Sequence, residues 1–431
     1  MINTVTFNRE MEESLSAFLE AISGAAIIEN RLSTRDGLLE CGTQRIDLKS
    51  SKNIFILAIG KAASSMSQGL LNVIDKSFLG RVSGLIITKE NHGFPVANFQ
   101  VHESSHPIPS KKSLQAAMVV RERLNALDDD CSVVVLLSGG GSALMCEPIE
   151  GISFEEKQLL HEVLVESGAS IDVINRVRRA LSKVKGGGLG PLIADRNALV
   201  LVLSDVIGND LSMVSSGPFY PFTDRDSLGV MLKRNRINVP LALKEKIEKI
   251  TSPSLNFQFI PHVLLADNQY ALSVLAEKIG QYGSMVLMDK PLNHSLEEAA
   301  DKLIDKFLEE KKRQCGRFIL IGGGEATLRV KGGGKGGRNM HLCCVMTHKL
   351  LHQGVEDFGV FSLGTDGTDG PTDAAGGILH SQIFKSAEKV ERLRVAIEAQ
   401  TSYSFLASEA ALIRTGPTGT NLNDVHGIVS F

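Results

Sequence analysis

The sequence predicts an α/β protein with two domains, the first built around a buried parallel sheet. In the first third of the chain, short runs that are apolar on both faces alternate with segments of helical composition. This alternation is typical of parallel strands covered by helices. The chain has 431 residues, which is long for one hydrophobic core, and a second alternation of strands and helices fills its last third. Two α/β domains are therefore expected.

The predicted elements follow one another in βα order. In the first domain the predicted strands are 53–60, 84–90, 132–141 and 198–206, and the predicted helical segments are 61–74, 114–127 and 154–183. A Pro- and Ser-containing stretch at 251–256 is the predicted linker, because such composition is typical of loops. Beyond it, strand-rich runs at 262–268 and 318–330 precede a helix at 339–353 and a strand at 359–364. The predicted domains are therefore 1–255 and 256–431.

The composition argues against several classes of partner. A net charge of -3 and a pI near 6.4 lack the basic excess of nucleic-acid binders. The sequence contains no apolar run of about 18 residues, the length that a membrane span needs. Acidic residues near the start of the chain are not typical of a transit peptide, and the scattered cysteines show no metal-site or disulfide spacing. We therefore expect a cytoplasmic protein that binds neither nucleic acid nor membrane.

A glycine-rich, cationic loop lies between residues 331 and 341. Three of its glycines have the G-x-G-x-x-G spacing of a dinucleotide fingerprint, after the strand-like stretch 326–330. Cations crowd the turn, however, and the acids at the right distance, Glu356 and Asp357, precede the next strand instead of following it, so this interpretation is disfavoured. Such a loop can instead hold phosphate through glycine N–H groups, the charges of Lys335 and Arg338, and the N-terminus of the following helix. From the loop alone, a phosphate clamp and a solvated hairpin tip are equally good interpretations.

Two loops after predicted strands favour the phosphate interpretation. Lys61, directly after Gly60, stands at a strand-to-helix junction, where α/β sheets bind ligands. The strand at 132–141 ends in three glycines flanked by Ser138 and Ser142, a turn that could cradle a carboxylate or phosphate. A tight turn is the alternative there. His106, in a proline-fixed loop, is interpreted as structural.

Acidic residues mark two further loops. Asp205, at the end of a predicted strand, suits a metal ligand or an acceptor for a substrate hydroxyl. Asp366, Asp369 and Asp373 are interspersed with threonines after the strand at 359–364. A single Asp-Gly pair is an ordinary turn, but three acids with neighbouring hydroxyls favour a magnesium or substrate site.

Eight segments, in order along the chain, resemble the glycerate kinases whose C-terminal half is called the MOFRL domain. They are AIGKAA, HPIP, SGGGSAL, INRVRRALSKVKGGGL, LSDVIGNDLSMVSSGP, GGGEATLRVKGGGKGGRN, GTDGTDGPTDAAGG and GPTGTNLNDV. The resemblance implies a Rossmann-like N-terminal domain, a smaller α/β C-terminal domain and an active-site cleft between them. It also implies ATP-dependent phosphorylation of D-glycerate, with 2-phosphoglycerate favoured, and catalytic importance for Lys61 and Arg338.

These expectations define a candidate site with ATP and Mg²⁺ as its cofactors. Lys61 and Arg338 would stabilise charge on the transferring group and bind the substrate carboxylate. Asp205 or Asp366 would accept the hydroxyl proton or hold the metal. The predicted nucleotide-binding residues are Ser138, Gly139, Gly140, Gly141, Ser142, Gly334, Lys335, Gly336, Gly337, Thr365, Asp366 and Gly367. Replacing Arg338 by alanine is expected to cut turnover by orders of magnitude and leave the fold intact.

Two rival functions and the assembly state stay open. An NAD-dependent hydroxypyruvate reductase would act on the same metabolite, and a nucleotide or metabolite sensor would bind ATP without transferring phosphate. The partners expected are D-glycerate and ATP, for a monomer or a homodimer.

Overall fold

The computed structural model describes residues 4–167, 171–221, 228–249, 257–314, 316–330 and 332–431. Two compact units are present: one comprises Ile27–Leu265, and the other comprises Met1–Ala26 together with Ala266–Phe431. We call them the N-terminal unit and the C-terminal unit.

Helices and strands alternate along most of the chain. The α-helices are α1 (Thr4–Ala21), α2 (Gly24–Arg31), α3 (Ala63–Val73), α4 (Lys111–Asn125), α5 (Gly141–Leu144), α6 (Phe154–Glu166), α7 (Ile171–Ala180), α8 (Leu228–Arg234), α9 (Leu241–Glu248), α10 (Asn268–Ile279), α11 (Leu296–Arg313), α12 (Arg338–His352), α13 (Ala387–Glu398) and α14 (Ser402–Ser408). The strands are β1 (Leu32–Arg35), β2 (Leu38–Cys41), β3 (Gln44–Asp47), β4 (Asn53–Ile59), β5 (Val82–Lys89), β6 (Phe99–Ser104), β7 (Cys131–Leu137), β8 (Ala198–Leu203), β9 (His262–Ala266), β10 (Ser284–Leu287), β11 (Phe318–Gly324), β12 (Phe358–Gly364), β13 (Gly376–His380), β14 (Leu412–Ile413) and β15 (Asp424–Ser430).

The N-terminal unit is built on a six-stranded sheet in the order β6-β5-β4-β7-β8-β9. The pairs from β6 through β8 are parallel, and every residue of β7 is buried. The strand order reverses at β4, which lies between β5 and β7, as in the doubly wound Rossmann arrangement. The predicted Rossmann-like sheet is therefore confirmed. Its ligand-binding crevice is expected where β4 and β7 end, because the connections there leave in opposite directions.

Short polar strands were not predicted from the sequence. β1, β2 and β3 form a separate antiparallel sheet, and their mixed polar and apolar residues give no buried run. The edge strand β6 was also missed, because only Ser104 in it is buried. The predicted helical segment 154–183 forms two helices, α6 and α7, and residues 168–170 between them lie outside the described ranges.

The C-terminal unit contains a second six-stranded sheet, in the order β10-β11-β15-β12-β13-β14. Only β10 and β11 pair in parallel, and the other neighbours are antiparallel. The last strand, β15, inserts between β11 and β12, so that Asp424 pairs with Gly324 on one side and Gly364 on the other. This register brings the first residue of β15 to the ends of both neighbouring strands.

The units differ from the predicted domains in two respects. β9 follows the predicted boundary at 255 but extends the N-terminal sheet beside β8, and the predicted linker at 251–256 lies outside the described residues. At the other end of the chain, Met1–Ala26 groups with the C-terminal unit. The buried side chains of α1 explain this, since the ring of Phe7 packs edge-on against His380 and Phe431, 5.2 Å from each.

None of the helices in the described ranges combines the length and apolar character needed to cross a membrane.

Candidate functional site

Lys61 lies in the crevice where β4 and β7 end. Its backbone N–H donates to the carbonyl of Gly139 at 3.0 Å, and the next N–H, from Ala62, donates to Ser138 Oγ at 3.1 Å. Gly60 has a φ of +123°, and a Cβ there would lie 2.2 Å from Ser138 Oγ. The turn after β4 and the glycine loop 138–142 are thus joined by backbone contacts that allow no side chain between them.

Gly140 brings two side chains onto this loop. It has a φ of +94°, and a Cβ at this position would lie 3.3 Å from both Lys61 Cγ and His106 Cδ2. Lys61 and His106 therefore flank the glycine turn. The structure places His106, which was interpreted as structural, at the candidate site.

A pair of serines fixes the other side of the loop. Ser215 Oγ donates to the carbonyl of Ser138 at 2.6 Å and accepts from Gly141 N–H at 3.0 Å. Ser216 Oγ is 2.6 Å from Ser142 Oγ. Both Ser215 and Ser216 have positive φ, 51° and 64°, a conformation that costs non-glycine residues free energy and is concentrated at functional sites.

The glycine loop retains unused donors. Within the described part of the chain, the N–H groups of Gly139 and Gly140 have no acceptor in the protein. Successive backbone N–H groups in a turn of this kind form a concave site for an anion, and the nearby Lys61 adds a positive charge. Asp205, the other predicted catalytic residue of this unit, follows β8 at the same edge of the sheet.

Replacing Gly60 by alanine is expected to displace the glycine loop and to lower stability by about 2 kcal/mol or more, because the positive φ and the contact with Ser138 both oppose a Cβ. Thermal unfolding followed by circular dichroism measures this change. Gly80→Ala is the matched control, since a Cβ there would meet nothing within 4 Å. Equal melting temperatures for the two variants would contradict the close approach.

Arg338 lies in the C-terminal unit as the first residue of α12, where two acids hold it. Its Nε and Nη2 donate to the two carboxylate oxygens of Asp424 at 2.6 and 3.1 Å, and its Nη1 donates to Glu325 Oε1 at 2.5 Å. The Asp424 side chain is 3% exposed. Burial alone would lower the pKa of Arg338. The charges and hydrogen bonds of Asp424 and Glu325 raise this pKa by more than burial lowers it, so the net shift is upward. The fork predicted to grip phosphate therefore grips Asp424 in this structure.

The N-terminal N–H groups of α12 already have an acceptor in the protein. Backbone N–H groups of Asn339 and Met340 donate to the carboxylate of Asp369 at 3.0 and 2.8 Å. Burial raises the pKa of Asp369 to about 7 although these bonds favour its ionised form. The helix terminus that was predicted to favour a bound phosphate is thus capped by a carboxylate of the Asp-rich loop.

The glycines before Arg338 are required by close packing. A Cβ at Gly334 would lie 2.2 Å from the carbonyl oxygen of Gln400, and one at Gly337 would lie 2.3 Å from the Asp369 carboxylate. Lys335 Nζ stands 4.1 Å from the centre of the Tyr403 ring. Gly334 and Gly337 therefore lie against their own unit, while residues 332–335 are exposed to solvent; Lys331 lies outside the described residues.

The loop after β12 carries the remaining predicted residues. Asp366 Oδ1 accepts from the backbone and side chain of Thr368, both at 3.0 Å, while Thr365 Oγ1 donates to the Asn423 carbonyl at 2.7 Å. The Cβ position at Gly364 is 3.4 Å from Oδ1 of both Asp366 and Asp424. The two carboxylates therefore converge above Gly364, beside Arg338.

This donor set suits Mg²⁺ better than a transition metal. No group of three or more His, Cys, Asp or Glu side chains is arranged as a metal site in the described ranges. Mg²⁺ usually uses one or two protein carboxylates and takes its other ligands from water and substrate phosphates. Asp366 fits that requirement as a single carboxylate, whereas both oxygens of Asp424 already accept hydrogen bonds from Arg338.

Asp373, the third acid of the loop, has a structural partner. Its carboxylate accepts from Tyr403 Oη at 2.7 Å and from Arg414 Nε at 3.0 Å. These hydrogen bonds lower the pKa of Asp373 to about 2. The three acids that look alike in the sequence thus have three different surroundings.

Sequence reasoning missed Asp424, Glu325 and Ser215, although each lies within a segment that the resemblance identified. Asp424 lies near the end of a turn-rich motif and is the first residue of β15. Only the insertion of β15 between β11 and β12 shows what it contacts. Positive φ at Ser215 cannot be read from residue type. These roles depend on contacts between distant segments.

Comparisons with known proteins agree with this arrangement. Residues 10–249 match a family described as a domain of unknown function, DUF4147, and residues 318–424 match the MOFRL family. The chain is 34% identical to D-glycerate 2-kinase of Thermotoga maritima over 395 residues, covering 86% of this chain and 89% of that protein. It is 32% identical to glycerate 2-kinase of Pyrococcus horikoshii, with 86% of each chain covered.

A solved structure shares the fold. The crystal structure of glycerate kinase from Thermotoga maritima superposes with a TM-score of 0.80 at 30% identity, and the match covers 99% of each chain. The matches to both parts of the chain and to full-length relatives lead to one conclusion. The chain belongs to the glycerate kinase family.

Proposed function

We propose that this protein transfers the γ-phosphoryl group of ATP to the 2-hydroxyl of D-glycerate, giving 2-phosphoglycerate and ADP. The crevice where β4 and β7 end carries this proposal, because it combines a lysine with unused backbone donors at the sheet edge where α/β proteins bind ligands. The printed names of the relatives, D-glycerate 2-kinase and glycerate 2-kinase, supply the substrate and the favoured position.

The chemistry of phosphoryl transfer suits such a crevice. Transfer needs positioned reactants and stabilisation of the charge on the transferring group, with little covalent participation by the protein. Lys61 supplies the positive charge, and the N–H groups of Gly139 and Gly140 donate to oxygens of the bound anion. Their positions are fixed before the ligand binds, because Ser138 and Ser215 hold both sides of the loop.

The C-terminal residues are proposed to act on the nucleotide. Arg338 is held at a fixed position by Asp424 and Glu325, so its charge can act on phosphate without the loss of side-chain freedom that a mobile arginine would suffer. Asp205 or Asp366 would hold Mg²⁺ or accept the hydroxyl proton. When bound, the ion would neutralise charge on the ATP phosphates.

The two rival functions make distinct predictions. The reductase interpretation depended on a strand immediately before the glycine fingerprint, but β11 ends at Gly324 and residues 325–330 continue without a strand apart from a single bridge at Thr327. The strand predicted at 326–330 is therefore wrong. A sensor would bind ATP and release no ADP. The cleft between domains, the cytoplasmic location and the monomeric or homodimeric state stay predictions.

An assay of ADP release tests the proposal against both rivals. With ATP, Mg²⁺ and D-glycerate, we expect ADP to form at a rate that depends on the glycerate concentration. Hydroxypyruvate and NADH should give no change in nicotinamide absorbance. Glycerate-independent ADP release, or oxidation of NADH, would refute the proposed reaction.

A further inference from the structure

A cavity of about 380 Å³ lies in the N-terminal unit, next to the glycine loop. It is open on one side and is bordered by the loop after β6, by the segment from Ser142 to Cys146, and by α6 and α7. Aliphatic side chains form much of its wall, including Ile108, Leu160 and Val177. Its volume lies within the range of small-molecule sites, roughly 300–1,000 Å³.

Three cations face this cavity from different elements. Lys157 of α6 is 8% exposed, and its Nζ donates to the Leu181 carbonyl at 2.8 Å. The guanidinium of Arg178 in α7 contacts the ring of His161, with Nη2 3.0 Å from Nδ1. Lys185 is 6% exposed. Within the described residues, no hydrogen-bond acceptor or carboxylate contacts Lys185 Nζ.

The positive charge of the cavity has little compensation from the protein. The titratable groups around Lys185 are Lys157, His161 and Glu162 on α6, Arg178 on α7, and Cys146 and Glu147 after α5. Glu147 is engaged by Arg121 at 2.6 Å and Lys183 at 3.3 Å, and Glu162 is exposed at the rim. Burial and the neighbouring cations lower the pKa of Lys185 to about 7 and the pKa of Lys157 to about 8.

A cluster of this kind opposes folding unless an anion joins it. Desolvated cations without a counter-charge cost free energy. A bound anion would supply the missing charge and accept hydrogen bonds from Lys185 and Arg178. The arrangement therefore fits a ligand site better than a structural core.

The cavity connects directly to the proposed catalytic crevice. Ser142, the last residue of the glycine loop, lines it, and Ser142 Oγ is 2.6 Å from Ser216 Oγ. The loop that follows Lys185 is fixed to the same segment, since Gly186 N–H donates to the Ser216 carbonyl at 2.9 Å. A ligand anchored at Lys185 would thus have its other end at the glycine loop.

We propose that this cavity binds the carboxylate of the acceptor hydroxy acid, with Lys185 and Arg178 as its anchors and Ser142 at the end that faces the reaction. The proposal rests on the proposed kinase function. Nucleotide phosphates fit the cavity less well, because its cations would repel the Mg²⁺ that accompanies ATP and its walls are largely aliphatic. Lys185 and Arg178 thereby become specificity residues for the acid group of the acceptor.

The test compares Lys185→Met with Lys183→Gln. Methionine keeps the length of the side chain and removes the charge. Lys183 is two residues away but pairs with Glu147 and does not line the cavity. We expect Lys185→Met to raise KM for D-glycerate by about tenfold or more, which is the loss expected when a hydrogen bond to a charged group is removed. The KM for ATP should change by less than about threefold. Calorimetric titration of D-glycerate without nucleotide should show the same loss of affinity, and Lys183→Gln should resemble the wild type.

Stability distinguishes a binding role from a structural one. Because Lys185 carries an unpaired buried charge, Lys185→Met is expected to melt at a higher temperature than the wild type below pH 7. The gain should shrink as the pH rises from 7 toward the ordinary lysine pKa, since the native lysine is then already neutral. A variant that binds less and is less stable at pH 6 would indicate a structural role and overturn the proposal.

The outcomes separate this inference from the proposed function. An active wild type and a Lys185→Met variant with unchanged KM for glycerate would overturn the carboxylate site and leave the kinase intact. A rise in KM for ATP alone would overturn it as well. A wild type that binds glycerate through Lys185 without phosphorylating it would support the site and refute the kinase. Should Lys185→Met fail to fold, Arg178→Met provides the same comparison at the other anchor, on α7.

Discussion

Replacing Lys61 by methionine is expected to lower kcat by about two to three orders of magnitude, the loss typical of removing one preorganised group that stabilises transition-state charge. The fold should survive, because methionine retains the backbone N–H that donates to the Gly139 carbonyl and joins this residue to the glycine loop. Steady-state kinetics with ATP and D-glycerate, together with thermal unfolding, measure both effects.

A surface lysine provides the control for Lys61. Lys52 has a side chain that is 84% exposed and stands 3.7 Å from Asp130, a solvent-exposed pair that contributes little. Lys52→Met should keep wild-type kcat and stability. If Lys61→Met also kept more than about a tenth of wild-type kcat, the crevice after β4 would not be the site of transfer.

Replacing Arg338 by methionine is expected to cost both activity and stability. The sequence alone suggested that the fold would remain intact, but the structure shows that the change leaves Asp424 buried and unpaired. Breaking a buried pair costs about 3–5 kcal/mol. We expect about 3 kcal/mol, the lower end of that range, since Arg338 is partly exposed. Chemical unfolding and kcat are the measurements.

The double variant Arg338→Met/Asp424→Asn separates the two losses. It removes both charges, so stability should largely return, whereas kcat should stay low if Arg338 acts on phosphate. The single variant Asp424→Asn shows what loss of the acid does by itself. Recovery of kcat together with stability in the double variant would mean that Arg338 serves only as the structural partner of Asp424.

The N-terminal fold could be predicted because its strands carry their own signal. β4 and β7 are apolar along nearly their whole length, and the helices between parallel strands follow from the connections that such strands need. Lys61 and the loop 138–142 could then be proposed as candidate site residues, because each directly follows one of these strands. A Rossmann-like N-terminal domain was an expectation from resemblance, and the observed strand order confirms it and makes these two loops neighbours.

The contacts of the C-terminal candidate site could not be predicted from local sequence patterns. β15 pairs with two strands that precede it by more than 50 residues, and this pairing alone places Asp424 against Arg338. A carboxylate at the end of a turn gives no sequence signal for its partner. The cavity at Lys185 was missed for a similar reason, since burial of a lysine depends on how α6 and α7 pack around it.

The central claim is tested most directly by ³¹P NMR of the product formed from ATP, Mg²⁺ and D-glycerate. We predict a new phosphomonoester resonance that appears with ADP and is split into a doublet, because the C2 carbon of glycerate carries one hydrogen. Phosphorylation of the 3-hydroxyl would instead give a triplet, from the two hydrogens of C3. A triplet would contradict the proposed position, and the absence of any glycerate-dependent resonance would contradict the proposed function.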